Sequence, residues 1–194
     1  AERAGATPWH PHHIAERYSL LVIIVLGEGV LGTTTALSST LDATGWTVDL
    51  VVVGAGALAL VFALWWSYFL TPYGEILARH RDRRAFVFGY GHVVPLGALA
   101  AVGAGLVVMA EALAPEHEVP TLRATLAVAV ALAVFLVSKA AIHEVLVGMD
   151  RVYIATLVMG LGIVGIAVAL AASGVGLPWC LATLALAPAS LVVV

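Results

Sequence analysis

The chain has 194 residues, of which 62% are hydrophobic and only 11% are charged. Soluble globular domains carry about 25% charged residues, so this composition excludes a water-soluble domain, and it equally excludes a disordered chain, which needs low hydrophobicity. The formal net charge of −3 argues against a nucleic-acid-binding protein, and the single cysteine, Cys180, excludes a disulfide framework within one chain. We therefore predict an integral membrane protein.

Six apolar runs follow one another along the chain, at residues 18–41, 46–71, 85–113, 122–147, 152–173 and 178–194. A bilayer core about 30 Å thick needs about 20 helical residues, which the first five runs supply and the last nearly reaches. The runs do not alternate between apolar and polar residues as barrel strands do, and backbone groups in lipid must pair within their own segment. The predicted fold class is all-α: a polytopic transmembrane bundle of about six spanning helices, forming one domain over residues 1–194.

The arginines predict the orientation of this bundle. Seven of them lie before the first run or in the second and fourth loops, namely Arg3, Arg17, Arg79, Arg81, Arg83, Arg84 and Arg151. The opposite side of the membrane would carry only Arg123. Because cytoplasmic loops are enriched in Lys and Arg, we predict that the N-terminus is cytoplasmic.

Three of these arginines are regularly spaced, since Arg17, Arg84 and Arg151 each begin an apolar run and lie 67 residues apart. The spacing indicates three helical hairpins near residues 17–83, 84–150 and 151–194. Either the hairpins arose by internal duplication, or hairpins that cross the same bilayer simply have similar lengths. Because the chain begins without Met and stops within an apolar run, we expect it to be a fragment of a longer membrane protein.

Glu28 is the strongest candidate for a functional residue, because it lies about ten residues into the first run. At a rise of 1.5 Å per residue this depth is roughly 15 Å, near the centre of a bilayer. A lone carboxylate is costly there, so we expect its side chain to point into the bundle. Arg17 and Thr35 fall on the same helix face. Glu28 is then either an ion or proton site, or a structural hydrogen bond that joins two helices.

Two further ionisable residues lie at comparable depth: His92 in the third run and Lys139 in the fourth. His143 lies one turn after Lys139, closer to the cytoplasmic end of that run. We expect His92 to be the first candidate partner of Glu28 and Lys139 the second. The structural alternatives are a core histidine with satisfied hydrogen bonds and a lysine that snorkels to the interface. Pro95 is expected to kink the third helix, because it lacks an N–H donor.

Two glycine patterns of the form GxGxxG occur at residues 27–32 and 160–165. Both lie inside apolar runs rather than between a strand and a soluble helix, so they indicate close helix packing instead of dinucleotide binding. We therefore expect Gly160, Gly162 and Gly165 to face a neighbouring helix.

A histidine cluster precedes the first run, with His10, His12, His13 and Glu16 in the sequence WHPHHIAE at residues 9–16. Histidine and carboxylate are common metal ligands, yet a proline interrupts their spacing and no second cluster matches them. A solvated segment before the helix is therefore favoured over a metal site. The sequence predicts neither a metal site nor a cofactor.

Three motifs in chain order resemble the bacterial low temperature requirement A (LtrA) family. They are HIAERY at residues 13–18 followed by VIIVLGE at 22–28, WWSYF at 65–69, and YGHVVP at 90–95. The resemblance is clearest over residues 9–110 and emphasises Glu16, Arg17, Glu28, Tyr90 and His92. It implies a multi-pass protein of the bacterial inner membrane, with a further membrane half in front of this chain and no established reaction, substrate or cofactor. The expected partners are therefore the lipid bilayer and that N-terminal half, with no nucleic acid.

These residues support three functional hypotheses. The first is a transporter of a small solute or ion that uses Glu28 and His92, because buried ionisable groups mark ion and proton paths. The second is a membrane-embedded enzyme acting on lipid, with His13, Glu16 and His143 near the head-group region. The third is a non-catalytic membrane module. A water-filled cavity reaching Glu28 favours the first, a lateral opening toward lipid at Glu16 and His143 favours the second, and a dry, tightly packed interior favours the third.

Overall fold

The computed structural model describes residues 10–79, 83–114 and 119–192, and only the backbone of residue 83. Within these ranges all regular structure is helical, which confirms the predicted all-α class. The helices are α1 Pro11–Thr44, α2 Val48–Phe69, α3 Tyr73–Arg79, α4 Arg83–Gly91, α5 Val93–Glu111, α6 Thr121–Leu146, α7 Arg151–Ala172 and α8 Leu177–Ala189, which a 3-10 turn extends over Ser190–Val192.

Five segments of the described chain are long and apolar enough to cross a membrane, and they correspond to the first five predicted runs. They are Pro11–Thr44, Val48–Arg79, Arg84–Glu111, Thr121–Leu146 and Arg151–Ala172. The sixth run forms the shorter apolar helix Leu177–Val192. The prediction of a multi-pass helical membrane protein is therefore confirmed.

The five long segments and the shorter α8 form a closed ring. In order around it, α1 packs on α5, α5 on α6, α6 on α7, α7 on α8, α8 on α2, and α2 back on α1. Large side chains such as Leu60, Leu106, Phe135 and Leu181 are fully buried in its interior. The contacts of α1 with α5 and of α5 with α6 are the most extensive in the ring, whereas the contact between α1 and α2 is the least extensive.

One helix does not follow from the apolar runs. Their spacing leaves residues 72–84 as a polar loop, yet α3 lies within them and packs against α1. Its Tyr73 and Leu77 are both buried, and because they are four residues apart they lie on the same side of the helix. These two buried side chains dock α3 on the bundle.

We call the end of the bundle at which α1 begins, α2 ends and α7 begins the basic end. It carries Arg17, Arg79, Arg84 and Arg151, while Arg81 lies outside the described residues. The predicted break between the fourth and fifth apolar runs is closed by Asp150, which accepts a hydrogen bond from the backbone N–H of Tyr153 and caps α7.

The division of the chain into three hairpins stays a prediction.

Candidate functional site

The helices α4 and α5 meet at His92, three residues before Pro95, and the backbone of His92 stays helical. The kink expected from Pro95 stays a prediction. His92 is 1% exposed, and its Nδ1 lies 2.6 Å from the carbonyl oxygen of Phe88. A carbonyl can only accept, so Nδ1 carries a hydrogen and donates it. In the neutral ring, Nε2 then accepts from the Tyr68 hydroxyl, which lies 3.0 Å away.

Four aromatic rings enclose His92. The ring centroids of Phe88, Tyr18, Tyr68 and Tyr73 lie 4.2, 4.7, 5.9 and 5.9 Å from that of His92. These rings belong to α4, α1, α2 and α3, so one imidazole joins four elements at the basic end. Because both of its nitrogens are bonded within the protein, His92 is a core histidine that holds the Tyr68 hydroxyl in place.

A cavity of about 570 Å³ opens beside Tyr68 between α1, α2 and α3, and we call it the polar pocket. His12, Glu16 and Ser19 line it from α1. His12 and Glu16 are exposed, and Glu16 Oε2 lies 3.3 Å from Nδ1 of His13. Tyr68, by contrast, is only 2% exposed. The polar pocket therefore leads from solvated groups at the basic end to a buried hydroxyl.

An apolar groove continues from the polar pocket along the seam between α1 and α2. Its first part, of about 360 Å³, is lined by Ile23, Leu26, Gly27, Val30, Leu58, Val61, Phe62 and Trp65. Its second part, of about 100 Å³, shares Val30, Leu58 and Val61 with the first. Because Ile23 lines both the polar pocket and the groove, the two adjoin. The seam is also where helix contact in the ring is least extensive.

The predicted inward orientation of Glu28 is wrong. Glu28 is exposed, and it lines neither the polar pocket nor the apolar groove. It follows the buried Leu26 by two residues, which at 100° per residue turns it about 160° away from that side chain. Arg17 and Thr35, predicted on the same face, are exposed as well. The expected meeting of Glu28 with His92 or Lys139 does not occur in the described structure.

A separate cavity of about 700 Å³ lies between α2, α6 and α7, and we call it the lysine cavity. Lys139, His143, Tyr153 and Asp150 line it. Lys139 is 4% exposed and Tyr153 is 8% exposed. The Lys139 Nζ lies 6.0 Å from the ring centroid of Tyr153, and the His143 ring stacks in parallel on the same ring at 4.1 Å. Lys139 and His143 thus form their own cluster, apart from His92.

The other residues emphasised by the resemblance lie on the outer surface of the described chain. Arg17 and Tyr90 line a pocket of about 480 Å³ between α1 and α4. Tyr90 is 77% exposed, and its ring is parallel to that of Phe86, with centroids 6.4 Å apart. The motif residues therefore divide into a buried His92, a pocket-lining Glu16 and an exposed group.

Of the three glycines expected to face a neighbouring helix, only Gly160 does so. A Cβ on Gly160 would lie 2.8 Å from Ser190 Oγ and 3.0 Å from the Ala187 carbonyl oxygen. Gly162 and Gly165 have nothing within 4 Å of such an atom, so the prediction is wrong for them. They lie two and five residues beyond Gly160, which places them on the opposite side of α7 at 100° per residue.

Sequence reasoning missed two tyrosines of these clusters. Tyr68 lies in the WWSYF motif and donates to His92, while Tyr153 follows Arg151 and lines the lysine cavity. Each begins or ends a spanning helix beside an arginine or tryptophan, where aromatic residues are expected for interfacial reasons alone. Their inward orientation is therefore not signalled by their sequence positions.

A family model described as "Bacterial low temperature requirement A protein (LtrA)" matches residues 1–188. The match extends well beyond the residues over which the motifs are clearest. Comparison with curated proteins and with solved structures gives no match. The additional N-terminal half that the resemblance implied stays a prediction.

Proposed function

This chain belongs to the bacterial low temperature requirement A family, and from its geometry we propose that this multi-pass membrane protein binds one amphiphilic molecule, a lipid. In this proposal the polar pocket holds the head group and the apolar groove holds an acyl chain. The observation that carries the proposal is the continuity of the two spaces, which share Ile23.

The length of the groove suits an acyl chain that enters from one side of the membrane. On α1 its two parts extend from Ile23 to Leu37. At 1.5 Å per residue these ends are about 21 Å apart, more than half of a hydrocarbon core about 30 Å thick. An acyl chain that begins at the polar pocket could therefore extend past the midplane of the bilayer.

The polar pocket offers groups suited to a hydroxylated or zwitterionic head group. The Glu16 carboxylate accepts hydrogen bonds, and the hydroxyls of Ser19 and Tyr68 both donate and accept. His92 fixes the Tyr68 hydroxyl without itself lining the pocket. Positioned polar groups in a mostly apolar site are typical of small-molecule binding pockets.

The geometry supports the lipid hypothesis over transport through Glu28. The polar pocket opens at Glu16, and the lysine cavity is lined by His143, as expected for a protein that contacts lipid head groups. Neither cavity is lined by Glu28. The acid–base groups of the polar pocket, Glu16 and His12, would also serve a lipid-acting enzyme. Lipid binding would be the first step of that enzyme's reaction, so the proposal is compatible with the second hypothesis.

Filling the groove should prevent lipid binding. Gly27 lines the groove, and a Cβ there would meet nothing within 4 Å, so Gly27→Leu should fold normally and place its side chain where the acyl chain lies. Overfilling an occupied space costs about 1–3 kcal/mol, so we expect about tenfold less labelling by a lipid with a photoreactive acyl chain. The measurement is mass spectrometry of the labelled peptides in reconstituted protein.

The matched control is Gly162→Leu, because Gly162 also has open space around it but lies on α7, outside the groove. Labelling of residues 23–30 should persist in this variant as in the unmodified protein. Equal labelling of the Gly27 and Gly162 variants, or labelling spread evenly over exposed helix faces, would contradict the proposal.

We infer further that the protein lies in the bacterial inner membrane with its basic end in the cytoplasm, on the arginine distribution. Two exposed positions test this orientation after Cys180→Ala: Trp46→Cys at the opposite end and Val147→Cys at the basic end, whose native side chains are 78% and 55% exposed. An impermeant maleimide added to intact cells should label Trp46→Cys and should label Val147→Cys only after lysis. The reverse pattern would show an inverted bundle.

A further inference from the structure

The lysine cavity holds three polar groups that the groove does not use, and two of them have no hydrogen bond among the described residues. The hydroxyl of Tyr153 and Nδ1 of His143 are both buried without a hydrogen bond among the described residues. Lys139 is 96% buried, since only 4% of its surface is exposed, and it forms no ion pair with any residue that the structure describes. All three line one cavity of about 700 Å³.

Such an arrangement is costly unless something fills it. A buried polar group without a hydrogen bond costs free energy, because it has lost its hydrogen bonds to water and gained none in the protein. A buried unpaired charge costs more still. An ammonium group supplies three donors and no acceptor, and a tyrosine hydroxyl can donate as well. The group that satisfies them together is rich in acceptor oxygens and negatively charged.

The acidic side chains nearby do not meet this need. Asp150 lines the cavity, yet its Oδ1 accepts from the backbone N–H of Tyr153 at 2.7 Å and caps α7. Glu144 is exposed, and its Oε2 accepts from the backbone N–H of Met149 at 2.6 Å. Both carboxylates help to close the turn between α6 and α7, and neither forms an ion pair with Lys139 among the described residues.

We propose that the lysine cavity is a binding site for a phosphate group, which accepts hydrogen bonds from Lys139 and Tyr153. His143 stacks on Tyr153 and fixes the plane of its ring. The site lies at the basic end, where a phosphate can come either from a lipid head group or from solution. It is distinct from the lipid groove, because the lysine cavity and the polar pocket share only Thr71 and Pro72.

Two binding measurements test the site and separate the two sources of phosphate. In the first, inorganic phosphate is titrated calorimetrically into the purified protein in an uncharged detergent. In the second, binding of phosphatidic acid is measured in nanodiscs of an uncharged galactolipid, which has no phosphate, with or without phosphatidic acid. Binding in the first measurement identifies free phosphate as a ligand, and binding in the second alone identifies the lipid phosphate.

The variants are Lys139→Met, which removes the charge but keeps an unbranched chain, and Tyr153→Phe, which removes one hydroxyl and keeps the ring. Loss of a charge-assisted hydrogen bond should weaken phosphate binding about 10- to 100-fold in Lys139→Met and about fivefold in Tyr153→Phe. The Tyr153 variant retains the His143 stack, so it tests the site even if the Lys139 variant does not fold.

The matched control is Thr125→Val. The Thr125 hydroxyl is also buried without a hydrogen bond of ordinary geometry, although it lies near the Cys180 thiol and does not line the lysine cavity. Its loss should change phosphate binding by less than about twofold, since a deletion far from the ligand is independent of it. Absence of binding in both measurements, or binding that Lys139→Met and Tyr153→Phe leave unchanged, would overturn the proposal.

Discussion

Gly103→Ala should lower the free energy of unfolding by about 1–3 kcal/mol, the usual cost of overpacking a tightly filled contact. A Cβ on Gly103 would lie 2.9 Å from the Cα of Gly29, and a Cβ on Gly29 would lie 3.2 Å from the Cα of Gly103. The obstacle is backbone in both directions, so no side chain can rotate away. The helices α1 and α5 would have to move apart. That movement would also weaken the hydrogen bond of 3.1 Å from Thr40 Oγ1 to the Ala110 carbonyl, which joins the same two helices.

Gly97→Ala is the control for this prediction, because Gly97 lies on the same helix and a Cβ added to it would have nothing within 4 Å. Alanine favours helix by up to about 1 kcal/mol over glycine, so this variant should be as stable as the original chain or slightly more so. Unfolding in mixed lipid–detergent micelles, followed by circular dichroism during a denaturant titration, measures both. Equal stability of the two variants would show that α1 and α5 do not meet at these glycines.

The spanning helices could be predicted because their physical cause is local. A run of about 20 apolar residues has one favourable state in a bilayer, the helix, and the five long segments follow the predicted runs closely. The helix α3 was missed because its stability comes from docking Tyr73 and Leu77 on other elements, which no local pattern reveals.

The rotation of each helix could not be predicted in the same way. In a soluble protein the apolar stripe marks the buried face, but α1 and α7 are apolar on both their exposed and their buried faces. Glu28 was therefore placed inward by its cost in lipid alone. The close approach of Gly29 and Gly103 shows what orients α1 instead: small residues that admit another backbone.

The candidate sites were predictable as residue types and depths, but not as pairs. His92 and Lys139 were both expected within the depth of the membrane, with snorkelling to the interface as the alternative for Lys139, and both are buried. Their partners, Tyr68 and Tyr153, are supplied by other helices, so that only tertiary packing decides which polar groups meet. The same packing gives the Tyr68 hydroxyl a hydrogen bond with His92, whereas the Tyr153 hydroxyl has none among the described residues. The spacing of these residues in the sequence does not predict this difference.

His92→Leu should lower the free energy of unfolding by about 2–4 kcal/mol, because it removes both hydrogen bonds of a buried ring, to the Tyr68 hydroxyl and to the Phe88 carbonyl. The Tyr68 hydroxyl keeps its hydrogen bond with the Ser19 side chain. Tyr68→Phe should cost less, about 1–3 kcal/mol, since only the acceptor Nε2 is left without its donor. In the double variant both partners of the hydrogen bond are removed, so neither the Tyr68 hydroxyl nor His92 Nε2 is left without the other. Its cost should therefore be smaller than the sum of the single costs by about 1–2 kcal/mol.

Glu28→Leu is the control for these His92 and Tyr68 variants, because Glu28 was expected from the sequence to be the partner of His92. An exposed side chain keeps its surroundings when the bundle unfolds within the membrane, so this substitution should change the free energy of unfolding by less than about 0.5 kcal/mol. It should also show no coupling to His92→Leu. A loss of about 3–5 kcal/mol, the cost of breaking a buried charged pair, would show that Glu28 lies in the interior of the bundle. If Glu28→Leu leaves the stability unchanged, the Tyr68 hydroxyl remains the side-chain partner of His92.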